Sequence, residues 1–171
     1  RKLYPGAANA TLNRQGIVPA QAIINYAADL EWCARIRVKR FKVNAKRKTP
    51  ATRGWVEAFA QQAVQDELHH LAALCLFMFG TGARRGEACS LTWGDVELFQ
   101  KKAVINQTKI DDQRVAHLSP PVIAALANIP SNRKPDSLVF QYASGESVGQ
   151  VWNNVIERAG IEKLSPHCCR H

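Results

Sequence analysis

The feature that most constrains this fold is the run from Leu71 to Gly80, in which no side chain is charged or strongly polar. A helix from Asp66 through Met78 is apolar on most of its faces, and such a helix is stable in water only when other elements cover it. The run is shorter than the ~18 residues that a membrane-spanning helix needs. The chain has 171 residues, and a domain of about 150 residues buries roughly 70% of its unfolded surface. We therefore expect a globular domain packed around this helix, without a membrane span.

Hydrophobic periodicity predicts further helices on both sides of this element. They cover residues 7–32, a segment capped by Thr52, a short stretch at 83–91 after the Gly80-Thr81-Gly82 stop, residues 120–129, and residues 147–159. After Asp95 the period changes to short β-branched runs at 96–98, 103–105 and 115–117, which predict a three-stranded antiparallel meander. The predicted fold class is α+β, mainly helical, with one small antiparallel sheet.

The net charge of +9 comes entirely from the first third of the chain. Residues 1–50 carry 11 basic and 2 acidic side chains, whereas residues 51–171 carry 12 of each. Between residues 35 and 48 there is no acidic side chain, and we interpret the basic ones there as contacts to a DNA backbone: Arg35, Arg37, Lys39, Arg40, Lys42, Lys46, Arg47 and Lys48. The alternative is a solvated linker. A hinge or domain boundary is expected at Thr49-Pro50.

The cysteines predict a reducing compartment. There are 5 of them, an odd number, and none has C-x-x-C spacing. Together with the absence of a signal-peptide pattern at the first residues, this predicts a cytoplasmic protein. His167 and His171 have a spacing that zinc sites use, but the adjacent Cys168 and Cys169 are awkward ligands for one tetrahedral ion. We expect neither a metal nor a cofactor.

Three places carry charge that structure alone does not require. Arg84 and Glu87 lie three residues apart, where a short helix follows the buried one, so the carboxylate can orient the guanidinium. Lys109 lies at the predicted tip of a strand pair. His167 and Arg170 again lie three residues apart, followed by His171. Two arginines, a lysine and one or two histidines, without a pair of catalytic carboxylates, are typical of a site for a phosphodiester.

The same three places resemble the motifs of the tyrosine recombinase (phage integrase) family. The segment TGARRGEACSLTWGDVEL resembles its first box, T-G-x-R-x-x-E-x-x-x-L-x-W-x-D; the TK of INQTKIDDQRVAHL resembles its β-hairpin lysine; and HCCRH resembles its H-x-x-R-H box. The resemblance implies that Arg84 and Arg170 clamp the scissile phosphate. Lys109 would be the general acid and His167 would assist proton transfer, with Glu87 and His171 in supporting roles.

The resemblance also implies a domain organisation and a nucleophile. Residues 1–34 would hold the last helix of an N-terminal core-binding domain, 35–52 a basic interdomain linker, and 53–171 the catalytic domain. In the family a tyrosine that follows the second arginine attacks the phosphate, whereas Tyr4, Tyr26 and Tyr142 all precede Arg170. We therefore expect the catalytic domain to stop before its nucleophile, and residues 1–171 not to cut DNA by themselves.

The expected function is site-specific DNA recombination through a 3′-phosphotyrosyl intermediate, in a protein of bacterial or phage origin that binds double-stranded DNA and self-associates on it. The alternative is a non-catalytic DNA-binding or regulatory protein on the same scaffold. A helix-turn-helix reader is a third possibility, but it requires a helix rich in Arg, Asn and Gln for base edges. None of the predicted helices has such a surface.

Overall fold

The computed structural model describes residues 4–44, 49–107, 112–142 and 145–170. The chain divides into two compact units, Arg1–Arg47 and Lys48–His171. Within the described parts, no helix is long and apolar enough to cross a membrane. The predicted fold class is confirmed, since the described residues are mainly helical and include a three-stranded antiparallel sheet.

The first unit is one interrupted helix followed by an extended segment. Helix α1 (Asn9–Leu12) continues through a π-helical turn (Asn13–Ile17) into α2 (Val18–Asp29). Pro19 lies at the start of α2, where it has no amide hydrogen to donate and its ring crowds the carbonyl one turn earlier. The widened turn directly before this proline accommodates both effects.

The second unit begins with two helices that pack against each other. Helix α3 (Arg53–Gln65) is capped by Thr52, whose hydroxyl accepts a hydrogen bond from the Trp55 amide at 3.2 Å. Helix α4 (His69–Thr81) is the predicted apolar helix, and its side chains from Leu71 to Cys75 are all buried, as are Phe77 and Met78. This helix is the centre of the core, as its composition predicts.

The rest of the second unit surrounds α4. A short helix α5 (Arg85–Cys89) and a 3₁₀ turn (Trp93–Asp95) lead into the sheet, and α6 (Pro120–Ala127), α7 (Gly145–Ala159) and a 3₁₀ helix (Pro166–Arg170) follow it. On α7, Trp152 packs against Phe59 of α3 with ring centroids 4.1 Å apart. The Trp152 indole donates to the Leu164 carbonyl at 2.9 Å, so this aromatic contact also fixes the chain that enters the last 3₁₀ helix.

The sheet consists of β1 (Val96–Glu97), β2 (Lys102–Gln107) and β3 (Asp112–His117) in that order. In β2–β3 the pairs Ala103–Ala116 and Ile105–Arg114 share one face, and Ala103, Ile105 and Ala116 are buried. Val115 lies on the opposite face and is 57% exposed. The three strands were predicted, and the residues of β3 on the inner face of the sheet are Arg114 and Ala116.

Candidate active site and basic segment

A tight turn at the end of α4 sets the position of the first arginine. Gly82 has φ of 64°, which ends the helix in the left-handed conformation that glycine adopts without strain. The Thr81 hydroxyl donates to the Phe77 carbonyl at 2.6 Å and accepts from the Ala83 amide at 3.3 Å. Ala83 is fully buried, so the turn is anchored on both sides of the glycine and places Arg84 at the N-cap of α5.

Arg84 donates twice to the Glu87 carboxylate at the start of α5, and this confirms the pairing predicted from their spacing. The Arg84 backbone amide donates to Glu87 Oε2 at 2.9 Å, and the Arg84 guanidinium donates to Glu87 Oε1 at 2.5 Å. The Glu87 side chain is only 4% exposed, whereas the side chain of Arg84 is 50% exposed. A buried carboxylate therefore holds a guanidinium whose outer half faces solvent.

The environment of Glu87 keeps it ionised. Burial alone raises the pKa of this carboxyl group, but the hydrogen bonds from the backbone and side chain of Arg84 oppose it, together with the positive charges of Arg84 and Arg114. Their combined effect lowers the pKa of Glu87 below its ordinary value. Glu87 therefore carries a negative charge near neutral pH, and this charge fixes Arg84.

The remainder of the first box is structural. Thr92 and Asp95 form a second cap, in which the Thr92 amide and hydroxyl donate to Asp95 Oδ2 at 3.0 and 2.7 Å. Leu91 and Trp93 are buried. These residues fix the chain between α5 and β1. Arg84 is the exposed cation of this box, and the buried Glu87 carboxylate holds it.

His167 and Arg170 lie on the 3₁₀ helix Pro166–Arg170, where residues three apart are stacked on one face. Arg170 is exposed and His167 is half-buried. The two residues between them, Cys168 and Cys169, are buried free thiols and anchor the turn, which explains their place in the sequence.

Two contacts attach this 3₁₀ helix to the core of the second unit. The Cys168 carbonyl accepts from the Ala51 amide at 2.9 Å, and the sulfur of Cys169 lies 4.0 Å from that of Cys75 on α4. Because α5 also packs on α4, the two arginine-bearing turns share one buried support. Lys109 and His171, which were also predicted to belong to the phosphodiester site, lie outside the described residues.

We call residues 35–48 the basic segment. Amide side chains on the helix of the first unit bind its main chain between residues 36 and 41. Asn13 donates to the Phe41 carbonyl and accepts from the Phe41 amide, both at 2.8 Å. Gln21 donates to the Ile36 carbonyl and accepts from the Val38 amide, both at 2.7 Å. The chain of residues 36–41 therefore runs antiparallel to the helix, and we call these two side chains and their four hydrogen bonds the amide ladder.

The ladder leaves the cationic side chains of the segment in solvent. Each of the five described basic residues is exposed, namely Arg35, Arg37, Lys39, Arg40 and Lys42. Arg35 also pairs with Asp29 of α2. The other three predicted DNA-backbone residues, Lys46, Arg47 and Lys48, lie outside the described residues.

Arg114 lies next to the Arg84–Glu87 pair in the second unit, and the sequence did not predict it as a site residue. Its guanidinium lies 3.8 Å from Glu87 Oε2 and donates to the Thr81 carbonyl at 3.2 Å. The available signal was the alternation of β3, in which Arg114, Ala116 and Leu118 form one period-two series. An arginine in an otherwise apolar series indicates a buried acidic partner.

Comparison with known proteins gives the same family for the second unit of the chain. The family model described as the phage integrase family matches residues 56–171. Among solved structures, the chain is similar to XerA recombinase, with a TM-score of 0.59 and 18% identity over 88% of this chain and 56% of that one. It is also similar to a lambda integrase dimer bound to a COC′ core site, with a TM-score of 0.61 and 14% identity over 95% of this chain and 52% of that one.

A third solved structure, the Tn1549 transposon integrase in complex with circular intermediate DNA, has a TM-score of 0.72 and 17% identity over 97% of this chain and 65% of that one. At such identities the likeness is one of fold. The chain spans between 52% and 65% of the length of these three proteins. No curated protein sequence is similar enough to the chain to match it.

Proposed function

The chain belongs to the phage integrase family, and from this premise we propose that it is part of a site-specific DNA recombinase that cleaves and rejoins strands through a 3′-phosphotyrosyl intermediate. The observation that carries the proposal is the Arg84–Glu87 pair. A guanidinium that is half exposed and held by a buried carboxylate is fixed in direction before any ligand arrives. Such preorganised donors are most effective where negative charge develops on a phosphoryl oxygen.

In the proposed reaction Arg84 and Arg170 bind the non-bridging oxygens of the scissile phosphate. A tyrosine hydroxyl attacks phosphorus, so that the bond between tyrosine oxygen and phosphorus forms as the bond to the 5′ oxygen breaks. Lys109 donates a proton to this leaving oxygen, and His167, supported by His171, assists proton transfer by accepting the proton of the tyrosine hydroxyl. Attack by a 5′ hydroxyl then reverses these steps and rejoins the strand, so that no nucleotide energy is consumed.

None of the three tyrosines in residues 1–171 matches the position of the nucleophile in the family pattern. Tyr4, Tyr26 and Tyr142 all precede Arg170 in the sequence, whereas the family pattern places the tyrosine after it. The reaction therefore requires a tyrosine from outside residues 1–171. Accordingly, we expect residues 1–171 alone to bind DNA without becoming covalently attached to it.

Double-stranded DNA is the proposed partner of the basic segment. The main chain that carries the exposed side chains from Arg35 to Lys42 is held along the helix by the amide ladder, so these side chains form a row of cations on a fixed main chain. Arginine and lysine in such a row bind phosphates without reading sequence. We place the segment between a core-binding helix (1–34) and a catalytic domain (53–171), in a cytoplasmic protein of bacterial or phage origin that self-associates on its DNA.

The test uses the protein as its gene encodes it and a pool of random-sequence duplexes that carry a nick. After incubation, DNA that stays attached to protein under denaturing conditions is recovered and sequenced. Recombinase activity predicts a covalent adduct at a defined sequence, linked through a 3′ phosphate to a tyrosine. Binding without any adduct would favour the alternative, a non-catalytic DNA-binding or regulatory protein on the same scaffold.

Salt dependence tests the proposed DNA contacts separately. If the basic segment binds phosphates, the affinity for duplex DNA should fall steeply with salt, because each phosphate contact releases a counterion. Replacing Arg37 or Lys39 by Ala should reduce the slope of log Kd against log salt by about 1 each. An affinity that does not change with salt would contradict this part of the proposal.

A further inference from the structure

Arg114 lies in a position where a strand normally places an apolar side chain. It is paired with Ile105 across the sheet, on the face where Ile105 and Ala116 are buried. Its own side chain is 33% exposed. A charged side chain on the inner face of a sheet loses much of its hydration, so it requires a compensating partner.

The partners of Arg114 connect three elements of the second unit. One guanidinium nitrogen lies 3.8 Å from Glu87 Oε2 on α5, and another donates to the Thr81 carbonyl at the end of α4 at 3.2 Å. The buried Glu87 carboxylate therefore faces two guanidiniums. Its Oε1 is bonded to the side chain of Arg84, while its Oε2 faces Arg114 and accepts from the backbone amide of Arg84.

The two guanidiniums differ in what else they can reach. Arg84 is half exposed and is the proposed phosphate ligand, whereas Arg114 is two-thirds buried and bonded to the main chain. When Arg84 turns its donors toward a phosphate, Glu87 loses part of its charge compensation. A buried carboxylate without a cation is strongly unfavourable, so Glu87 alone would hold Arg84 back from the phosphate.

We propose that Arg114 is a positioning residue for strand cleavage, which balances the charge of Glu87 so that Arg84 is free to share its donors with the scissile phosphate. This inference rests on the proposed function. In this role Arg114 acts through its contact with Glu87 and not through a contact with DNA or the reacting atoms. It also attaches β3 to the α4–α5 turn that carries Arg84.

The test is a double-mutant cycle of Arg114→Gln and Glu87→Gln in the gene-encoded protein, with the rate of covalent adduct formation measured at saturating protein. Arg114→Gln should slow this step roughly tenfold in the wild-type background. In the Glu87→Gln background, where no negative charge needs balancing, the same change should alter the rate less than about twofold. Equal effects in both backgrounds, or no effect in either, would overturn the proposal.

Two further variants separate positioning from general loss of structure. Arg114→Lys keeps a positive charge near Glu87 and should recover most of the rate, although lysine cannot make both contacts of the arginine fork. Arg158→Gln is the matched control, because it removes an arginine that pairs with Asp66 at 2.9 Å in the same unit, and it should leave the rate unchanged. An Arg114→Lys protein as slow as Arg114→Gln would contradict charge balance.

The outcome for the wild-type protein distinguishes the two proposals. If wild type forms adducts and the cycle shows no coupling, recombinase activity stands and the role of Arg114 fails. If wild type forms no adduct, strand cleavage fails, and the same cycle measured as Kd for duplex DNA still decides whether Arg114 acts through Glu87. In that case, a smaller effect of Arg114→Gln on Kd in the Glu87→Gln background supports the role of Arg114 in balancing the charge of Glu87. Additive effects of the two substitutions on Kd exclude this role.

Discussion

Glu87 accepts hydrogen bonds from both the backbone amide and the guanidinium of Arg84, at 2.9 and 2.5 Å. One buried carboxylate thus caps α5 and fixes the cation that the proposed reaction needs most. The stability of the turn and the direction of the guanidinium depend on the same negative charge. Loss of that charge should therefore be visible in folding as well as in DNA cleavage.

We expect Glu87→Gln to remove a pH-dependent part of the free energy of unfolding. The pKa of Glu87 is lowered in the folded protein, so ionised Glu87 stabilises the fold above its unfolded pKa of about 4.3, and this stabilisation is lost as pH falls through the folded pKa. The substitution should cost about 2 kcal/mol at neutral pH, the order of a hydrogen bond to a charged group. Urea unfolding across the acid range measures the difference between the two proteins.

That difference should shrink as the pH falls below about 4. Glu57→Gln is the control, because Glu57 pairs with Arg53 on the surface of α3 with its side chain 67% exposed, and exposed pairs contribute little. A Glu87→Gln protein that is destabilised equally at neutral and acid pH would show that the carboxylate charge does not contribute.

Arg84 and Arg85 are adjacent in the sequence and both exposed, but only Arg84 is held by Glu87. We expect Arg84→Ala in the gene-encoded protein to slow adduct formation by at least about 100-fold, the order seen when one donor to a developing oxyanion is removed. Arg84→Lys should recover little, since lysine cannot present two parallel donors to one phosphate. Arg85→Ala should form adducts at the wild-type rate, and an equal loss for the two alanine variants would contradict the assignment.

The sequence predicted those parts of the molecule in which side-chain type and spacing act locally. The apolar faces of α4 required burial, and the spacing of Arg84 and Glu87 required that they share a helical face, so both were predicted from residues alone. The face of β3 that points into the core was not predicted. Strand propensity alone favours burial of Val115, which is the exposed residue. Register is set by the whole buried face, which includes the buried Ala116.

The amide ladder and the Arg114–Glu87 contact depend on long-range pairing. Asn13 and Phe41 are 28 residues apart, and Arg114 contacts the carbonyl of a residue 33 positions earlier. No local pattern distinguishes such an asparagine from an ordinary surface residue. The composition of residues 35–48 predicted that the segment binds DNA. Only the tertiary fold shows which of its main-chain atoms are hydrogen-bonded to the helix.

The cysteines should differ sharply in reactivity. Cys33 is exposed, whereas Cys75, Cys89, Cys168 and Cys169 are buried. Burial raises the pKa of the Cys75 and Cys89 thiols, and the thiolate is the reactive form. We expect one thiol to react rapidly with iodoacetamide in the folded protein and the other four only after unfolding in urea. Peptide mapping that finds Cys168 or Cys169 labelled as fast as Cys33 would contradict the anchored position of the Arg170 turn.

The amide ladder should protect the basic segment from trypsin. Arg37, Lys39 and Arg40 are exposed cleavage sites, but a protease requires the local chain to detach from the helix before it can be cut. Asn13→Ala and Gln21→Ala each remove two hydrogen bonds to the segment. At about 1 kcal/mol net for each hydrogen bond, the loss of two bonds should accelerate cleavage at these sites roughly 30-fold.

The matched control for the ladder is Gln15→Ala, an exposed amide in the same π-helical turn as Asn13, which should leave the cleavage rate unchanged. Mass spectrometry of early products assigns each cut to the segment or to other sites. The ladder variants should also bind duplex DNA more weakly, because a detached segment loses conformational freedom again when its cations contact phosphates. Faster proteolysis with unchanged DNA affinity would mean that the ladder fixes the segment without contributing to its proposed DNA contacts.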